Sequence, residues 1–536
     1  MPSINTKKSG YNNAKTWRDD LRNLSNTSPV YYITIGNHVP YANESSPDSL
    51  VDTIAEEKRT WDNMFAAKRI TGNDVDFVIP RINWTANTKY RNYDDTITIS
   101  SLVSTNTSQN LKPFYVITSA RNVYKCLSNN SSANSTVQPT GDYTTSNGNI
   151  ATADGYIWKY MYNIKPSNKF LNDEYMPVPS STNDLDFNVN ATGVVEGELT
   201  TIIVTAAGTN YRQASNILVD SFTTGQTSLR LSNTTLTTAI FSIPTLANLA
   251  NMSISGTGIA ADTYIAGIAV ANGLITLSSA TTAVGGNANN ITISTRVYVN
   301  GDGTGAEANA ILSNTVSGVS SANANVSKIT VSTIGTGYSR ANAIIYGSGT
   351  GANARVIIAP KFGHAFNPAS ELNANNVSLI IRMGELDSTE GGLVSVDTSF
   401  RQIALLRDPY KYNQNSRVNI ETANTTIAQN YTLGIVAGSS YLLNEYVFQG
   451  SSANNASAYG FVYAQTTNQV KITKVQGEFT PGLTLTGANS GASRIVTTVT
   501  NPEFEPYTGD ILYIENALKT ERADGQAENI KLIISF

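Results

Sequence analysis

With 36 Lys and Arg against 40 Asp and Glu over 536 residues, the net charge is −4, which leaves no basic footprint for nucleic acid or an anionic membrane. Charged residues make up only 14% of the chain, against roughly 25% in ordinary soluble domains, so Asn, Ser and Thr must dress the surface. Together with 39 glycines and many β-branched residues, this predicts a mainly β, multidomain protein. Cys126 is the only cysteine, so no intrachain disulfide is expected. The opening MPSINTKKSGYNN has no apolar signal region, and no apolar run approaches the ~18 residues of a membrane span. A soluble protein made in a reducing cytosol is therefore expected.

In chain order, Ala14, Trp17, Leu21 and Leu24 fall at helical spacing behind Asn12 and Asn13 as caps. Val30 to Ile35 (VYYITI) reads as a strand. A second helix is expected from Pro47-Asp48, with Leu50, Ile54, Trp61, Met64 and Phe65 on one stripe and a Gly72-Asn73 cap. Phe114 to Thr118 and Asn122 to Leu127 read as a hairpin around Ser119-Ala120-Arg121. From Asp154 the run DGYIWKYMYNI alternates, with Tyr156, Trp158, Tyr160 and Tyr162 on one face and Ile157, Lys159, Met161 and Asn163 on the other. Burying such a face contributes roughly 1.5–3 kcal/mol per large side chain, enough to anchor a sheet, and Pro166 ends the run. The first 190 residues thus predict an α+β body, two helices beside a sheet.

The middle contains a repeat. Thr201 to Tyr211 (TIIVTAAGTNY) and Lys328 to Tyr338 (KITVSTIGTGY) are alike, and each is followed by another strand. In the second copy that strand runs directly into GSGTGANA from Gly347. In the first, the equivalent GDGTGAEANA appears only at Gly301, so a guest of about 221–298 is expected inside the first copy. Its short alternating strands and Gly-rich turns predict a small β-sandwich or barrel, and a second insertion at 426–502 reads as a small barrel. The final NIKLIISF, Asn529 to Phe536, reads as a docked terminal strand.

No catalytic constellation, cofactor site or metal site is legible. His38 and His364 are both in loops; either could serve as a general base, but no nucleophile elbow accompanies them. Carboxylates cluster at Asp94-Asp95 and at Glu385, Asp387 and Glu390, where solvated loop charge is the plainer reading than a glycosidase pair. The clusters Gly301 to Gly305 and Gly347 to Gly351 match no phosphate-loop spacing and read as turns between strands. Tyr211, Tyr264 and Tyr338 in the turns could stack on sugars or simply support the turns.

Six blocks occur in an ordered set: VYYITIGNHVPY (30–41), VIPRINW (78–84), NVYKCL (122–127), DGYIWKYMYNI (154–164), FRQIALLRDPY (400–410) and the last 28 residues from Gly509. This set resembles the homodimeric baseplate wedge subunit of T-even-like contractile-tailed bacteriophages, over somewhat under half of the chain. The turn Gly363-His364 with Pro368 and Glu371-Leu372 also resembles that family. The resemblance implies a wedge body from 1–190, 363–425 and 503–536, interrupted by the repeat at 191–362 and the barrel at 426–502. It further implies a non-enzymatic virion protein of the tail baseplate, assembled in the host cytoplasm. Its partners would be other wedge proteins and a second copy of itself, with no nucleic acid and no membrane insertion. The alternative is a host-surface glycan-binding tail protein acting through its inserted β domains.

Overall fold

The computed structural model describes residues 6–22, 29–96, 111–180, 187–188, 194–231, 249–285, 291–316, 319–320, 324–383, 398–416, 426–521 and 528–536. The chain is mainly β and forms two compact units, residues 1–78 with 374–536, and residues 79–373. The expected first piece, 1–190, is divided between them.

In the first unit, strand Tyr31–Gly36 lies between Met64–Arg69 and Ser399–Arg407, and Ser399–Arg407 pairs in turn with Asp510–Glu521. Every residue of Tyr31–Gly36 is buried, which is why VYYITI reads as a continuous apolar run with little polar alternation. A second sheet sets Asn376–Met383 between Val75–Pro80 and Glu528–Ser535, so the terminal strand is docked as expected. Helix Lys7–Arg22 begins ahead of the expected Asn12-Asn13 caps, which lie inside it; Leu24 falls outside the described residues. It buries Ala14 and Leu21 and packs Tyr11 on Phe77, with ring centroids 5.6 Å apart.

The second helix is shorter than its stripe implied. It spans Ile54–Asn63, capped by Thr53, whose hydroxyl accepts from the Glu56 N–H at 3.2 Å. Ile54 is exposed, and Met64 and Phe65 belong to the next strand. That strand opens with four buried residues in a row, and such a run cannot be told from a helix face by spacing. The insertion near 426–502 contains a closed barrel of six strands, in ladder order Tyr431–Ile435, Gln469–Gly477, Ala456–Gln465, Tyr446–Gly450, Thr484–Gly487 and Ser493–Thr500. Leu433, Val447, Val462, Val470, Ile472 and Leu485 fill it. Thr426–Ala428 lies outside the barrel and pairs with Met64–Arg69.

In the second unit, Tyr115–Ile117 and Asn122–Ser128 form the expected hairpin, with Arg121 in the left-handed region at φ 61°. Asn122–Ser128 pairs with Ile157–Ile164, and Tyr156, Trp158 and Tyr160 join Tyr90, Tyr124 and Cys126 in an aromatic core. Tyr162 does not follow them. A bulge at Met161 sets Tyr160 opposite Tyr124 but Tyr162 opposite Val123, so the two rings leave on opposite faces. The Tyr162 hydroxyl donates instead to the Pro177 carbonyl at 3.0 Å.

The repeat builds one six-stranded sheet in the order Leu199–Thr209, Thr350–Ile358, Ala341–Tyr346, Arg296–Gly301, Thr304–Leu312, Val326–Thr336. Its copies share one device, a tyrosine seated on the glycine turn of the other. A Cβ at Gly349 would come 2.5 Å from the Tyr211 ring, and a Cβ at Gly303 2.5 Å from the Tyr338 ring. The Tyr211 hydroxyl accepts from the Ala352 N–H at 3.3 Å, and the Tyr338 hydroxyl from the Ala306 N–H at 3.4 Å. The guest is a sandwich of two three-stranded sheets, one with Ile291–Ser294 central and one with Leu274–Leu277 central, around Met252, Ile254, Ile265 and Ile275. Its pairing begins at Ala214–Ile217, with Ile217 opposite Ile291.

Candidate functional site

On the face of the aromatic sheet turned away from the ring cluster, Lys125 lies directly across from Lys159. Like charges opposed in this way destabilise a sheet unless carboxylates answer them. Glu371 comes from the short helix Pro368–Glu371, whose cap residue Asn367 accepts from the Ser370 N–H at 3.0 Å. Glu198 comes from the turn before Leu199–Thr209. The Lys125 ammonium donates to Glu371 Oε2 and lies 2.7 Å from His364 Nδ1, while Lys159 Nζ lies 4.0 Å from Glu198 Oε1. The Tyr93 ring sits 4.5 Å from Lys125 Nζ and edge-on to His364, with centroids 5.3 Å apart. Lys125, Glu198 and His364 are all 0% exposed.

Burial pulls Lys125 and Lys159 below the usual lysine range, with Glu371 and Glu198 respectively drawing them part of the way back. Burial opposes ionisation of Glu371, but the Lys125 ammonium and then His364 outweigh it and hold the carboxyl at about 2. Glu198, with Lys159 beyond hydrogen-bond reach, is raised by burial. His364 is brought down to about 3 by burial and then by Lys125, so it is neutral. Since Lys125 donates to Nδ1, the ring proton resides on Nε2, which faces the Thr200 hydroxyl at 3.4 Å. His364 in this tautomer can donate to Thr200 but cannot take its proton. The arrangement is a sealed polar brace holding the loop around His364 and the turn at Glu198 against the sheet.

The other candidates separate. His38 belongs to the first unit, buried beside the Tyr463 ring at 5.8 Å and brought down to about 4 by burial. Asp94 and Asp95 both pair with the Arg355 guanidinium, Asp95 at 2.7 Å, so neither faces a cleft as a free acid. Glu385, Asp387 and Glu390 lie outside the described residues. Cys126 is buried and its thiol pushed up by burial. Tyr211 and Tyr338 are buried under their glycine turns, and Tyr264 carries the Arg296 guanidinium over its ring at 3.9 Å. Tyr211 and Tyr338 therefore offer no bare ring face to a sugar, and one face of Tyr264 is already taken. Among the described residues, no group of three His, Cys, Asp or Glu could hold a metal ion, and no helix is long and apolar enough to cross a membrane.

One open site was not visible in the sequence. The repeat sheet curls until its two edge strands meet, and they are stitched only at their ends. Tyr211 N–H donates to the Ala324 carbonyl at 2.9 Å, and Gly337 N–H to the Glu196 carbonyl at 2.8 Å. Between these stitches the strands run close together without a ladder, and Thr200 to Val204 and Ser327 to Val331 line a groove of about 300 Å³. The loop Ser128 to Ser132 closes one side of it, held there by Thr201, whose hydroxyl donates to the Leu127 carbonyl. Thr200 lies in this groove and touches His364, so the brace stands directly behind the groove. No family model and no curated protein matches the chain.

Proposed function

We propose that this chain is a structural subunit of a contractile-tail baseplate wedge, dimeric, bridging neighbouring wedge proteins and rearranging with the baseplate when the tail contracts. One observation carries the reading: blocks that resemble the wedge family and lie far apart in sequence are strand partners. Tyr31 stands opposite Arg407 and Leu405 opposite Tyr513 in one sheet, so pieces from both ends of the chain make a single layer. In the second unit the NVYKCL and DGYIWKYMYNI blocks pair through Lys125 and Lys159. Unrelated scraps would have no reason to complete one another's hydrogen-bond ladders. On this reading the protein works by fitting against companions through extended interfaces, without transforming a substrate.

The test is to label the chain at an exposed surface position and image intact particles by electron microscopy, with sedimentation of the purified protein alongside. Label on the baseplate and a dimer in solution are expected. Label on the head or the tail tube, or particles lacking the chain, would remove the proposal.

A further inference from the structure

We propose that the groove along the unladdered seam of the repeat sheet is a binding site for a neutral saccharide. This rests on the seam alone and not on the wedge reading. The groove lies along a seam where two edge strands, stitched at both ends by backbone hydrogen bonds, run side by side with no ladder between them. Its volume of about 300 Å³ lies at the lower end of the range of small-molecule sites.

The lining selects the ligand class. Ser128, Ser131 and Ser132 offer hydroxyls and Thr201 and Thr330, whose hydroxyls donate to the Leu127 and Asn309 carbonyls, offer acceptor oxygens, interleaved with the aliphatic side chains of Ile157 and Ile203. Hydroxyls satisfy a polyol in both donor and acceptor directions, while aliphatic patches receive the C–H face of a pyranose ring. No carboxylate lines the groove, so no negative charge there would draw a divalent cation. Its one charged residue, Lys328, donates to Asn130 Oδ1 at 2.9 Å, which commits the ammonium and argues against an anion as the natural ligand.

The backbone of the closing loop adds an independent observation. Asn130, Ser131 and Ser132 have φ of 49°, 58° and 65°, three successive non-glycine residues in the left-handed region. Glycine would adopt this conformation without steric cost, yet the chain places serines here, and Ser131 and Ser132 line the groove. The strain is held by its surroundings: Asn129 Nδ2 donates to the Tyr90 carbonyl at 3.0 Å, Ser132 N–H to Asn129 Oδ1 at 3.1 Å, and the Tyr156 hydroxyl to the Ala133 carbonyl at 2.5 Å. Backbone strain kept in place by a supporting shell marks a functional loop. Ser131 and Ser327 at the mouth are exposed, so a ligand has a way in.

The experiment titrates the full chain with a panel of neutral mono- and disaccharides by calorimetry and saturation-transfer NMR, with glucuronate and inorganic phosphate as charged comparators and a purified bacterial surface polysaccharide as polymer. Saturable binding of a neutral saccharide is expected, at least tenfold weaker in Ser327→Trp, which blocks the mouth from an exposed position. Thr330→Val, which keeps the volume, should weaken it several-fold, whereas Lys328→Met should change it less than threefold. The double variant Ser131→Gly, Ser132→Gly should melt higher yet bind more weakly, a combination that a purely structural loop would not give. A polymer that binds and is displaced by the disaccharide assigns the source to a surface glycan; disaccharide binding alone assigns it to free sugar. No saturable binding across the neutral panel, unchanged affinity in both Ser327→Trp and Thr330→Val, or tighter binding of glucuronate or phosphate would each overturn the proposal.

Discussion

In the barrel of residues 431–500 each strand has a ladder partner on both sides, whereas in the sheet of residues 199–358 the two outer strands run close together with no ladder between them and are hydrogen-bonded only beyond their ends. The barrel core is correspondingly simple, with eight fully buried aliphatic side chains at its centre. Its one deeply buried carboxylate, Glu445, is answered by backbone N–H groups of Leu442, Asn489 and Ser490 at 2.7, 3.1 and 2.9 Å. The open sheet instead backs onto lysines, carboxylates and a neutral histidine. Closing every ladder lets a core be hydrocarbon. The open sheet adds to its own hydrocarbon core a few specific polar contacts behind it, and those are individually easy to break.

That contrast can be broken most forcefully at Glu371. Changing it to Gln leaves Lys125 charged in full burial, and a destabilisation of about 3–5 kcal/mol is expected in urea unfolding followed at Trp158. A loss under 1 kcal/mol would mean that the brace is not what holds this region. In the closed barrel the largest single effect should come from hydrocarbon: Leu485→Ala is expected to cost about 3 kcal/mol, while Ile329→Ala beside the unladdered seam should cost less because solvent can enter. Equal losses in denaturant midpoint would erase the distinction.

Acid provides the next test. His364 at about 3 and His38 at about 4 both sit below the unfolded value near 6.5, so between these limits the unfolded chain binds protons that the native chain refuses. Stability should therefore fall as pH drops from about 6.5 towards 3, on the order of 8 kcal/mol for the two histidines together, with Glu371 adding a further loss between its unfolded value and about 2. Lys125, Lys159, Glu198 and Glu371 surround His364, so His364→Gln should flatten that part of the profile. A midpoint unchanged between pH 7.5 and 4 would contradict the buried neutral state. The smallest effect is expected at the strained loop, where Ser131→Gly should raise stability by about 0.5–1 kcal/mol in thermal melts.

Much of this architecture can be read from residues whose partners are close in the chain. The GT-x-Y repeats and their glycine turns announce themselves because the same few residues recur, and their burial follows from the glycines' lack of side chains. The mainly β class follows from alternation and turn chemistry. The bulge at Met161 is a different matter: it depends on the register against Asn122–Ser128, so counting by twos carries Tyr162 to the wrong face. The over-long second helix arose because the buried strand beginning at Met64 continues a helix-like apolar spacing. Lys125 and Lys159 do leave a trace, a lone lysine in the middle of an apolar or aromatic strand. Their counter-charges Glu198 and Glu371, far off in sequence, leave none. The groove is invisible for the same reason, since it is the space left where two distant edges fail to pair.

The pairing of Ile217 with Ile291 has a practical meaning. The polypeptide leaves the repeat and comes back to it through neighbouring strands of the guest's own sheet, so the guest's entry and exit lie side by side. An entry and exit that lie side by side let one passenger be replaced by another without reshaping the host sheet, as in a plug and socket. A reporter or affinity module grafted between these strands would be carried at a single defined address.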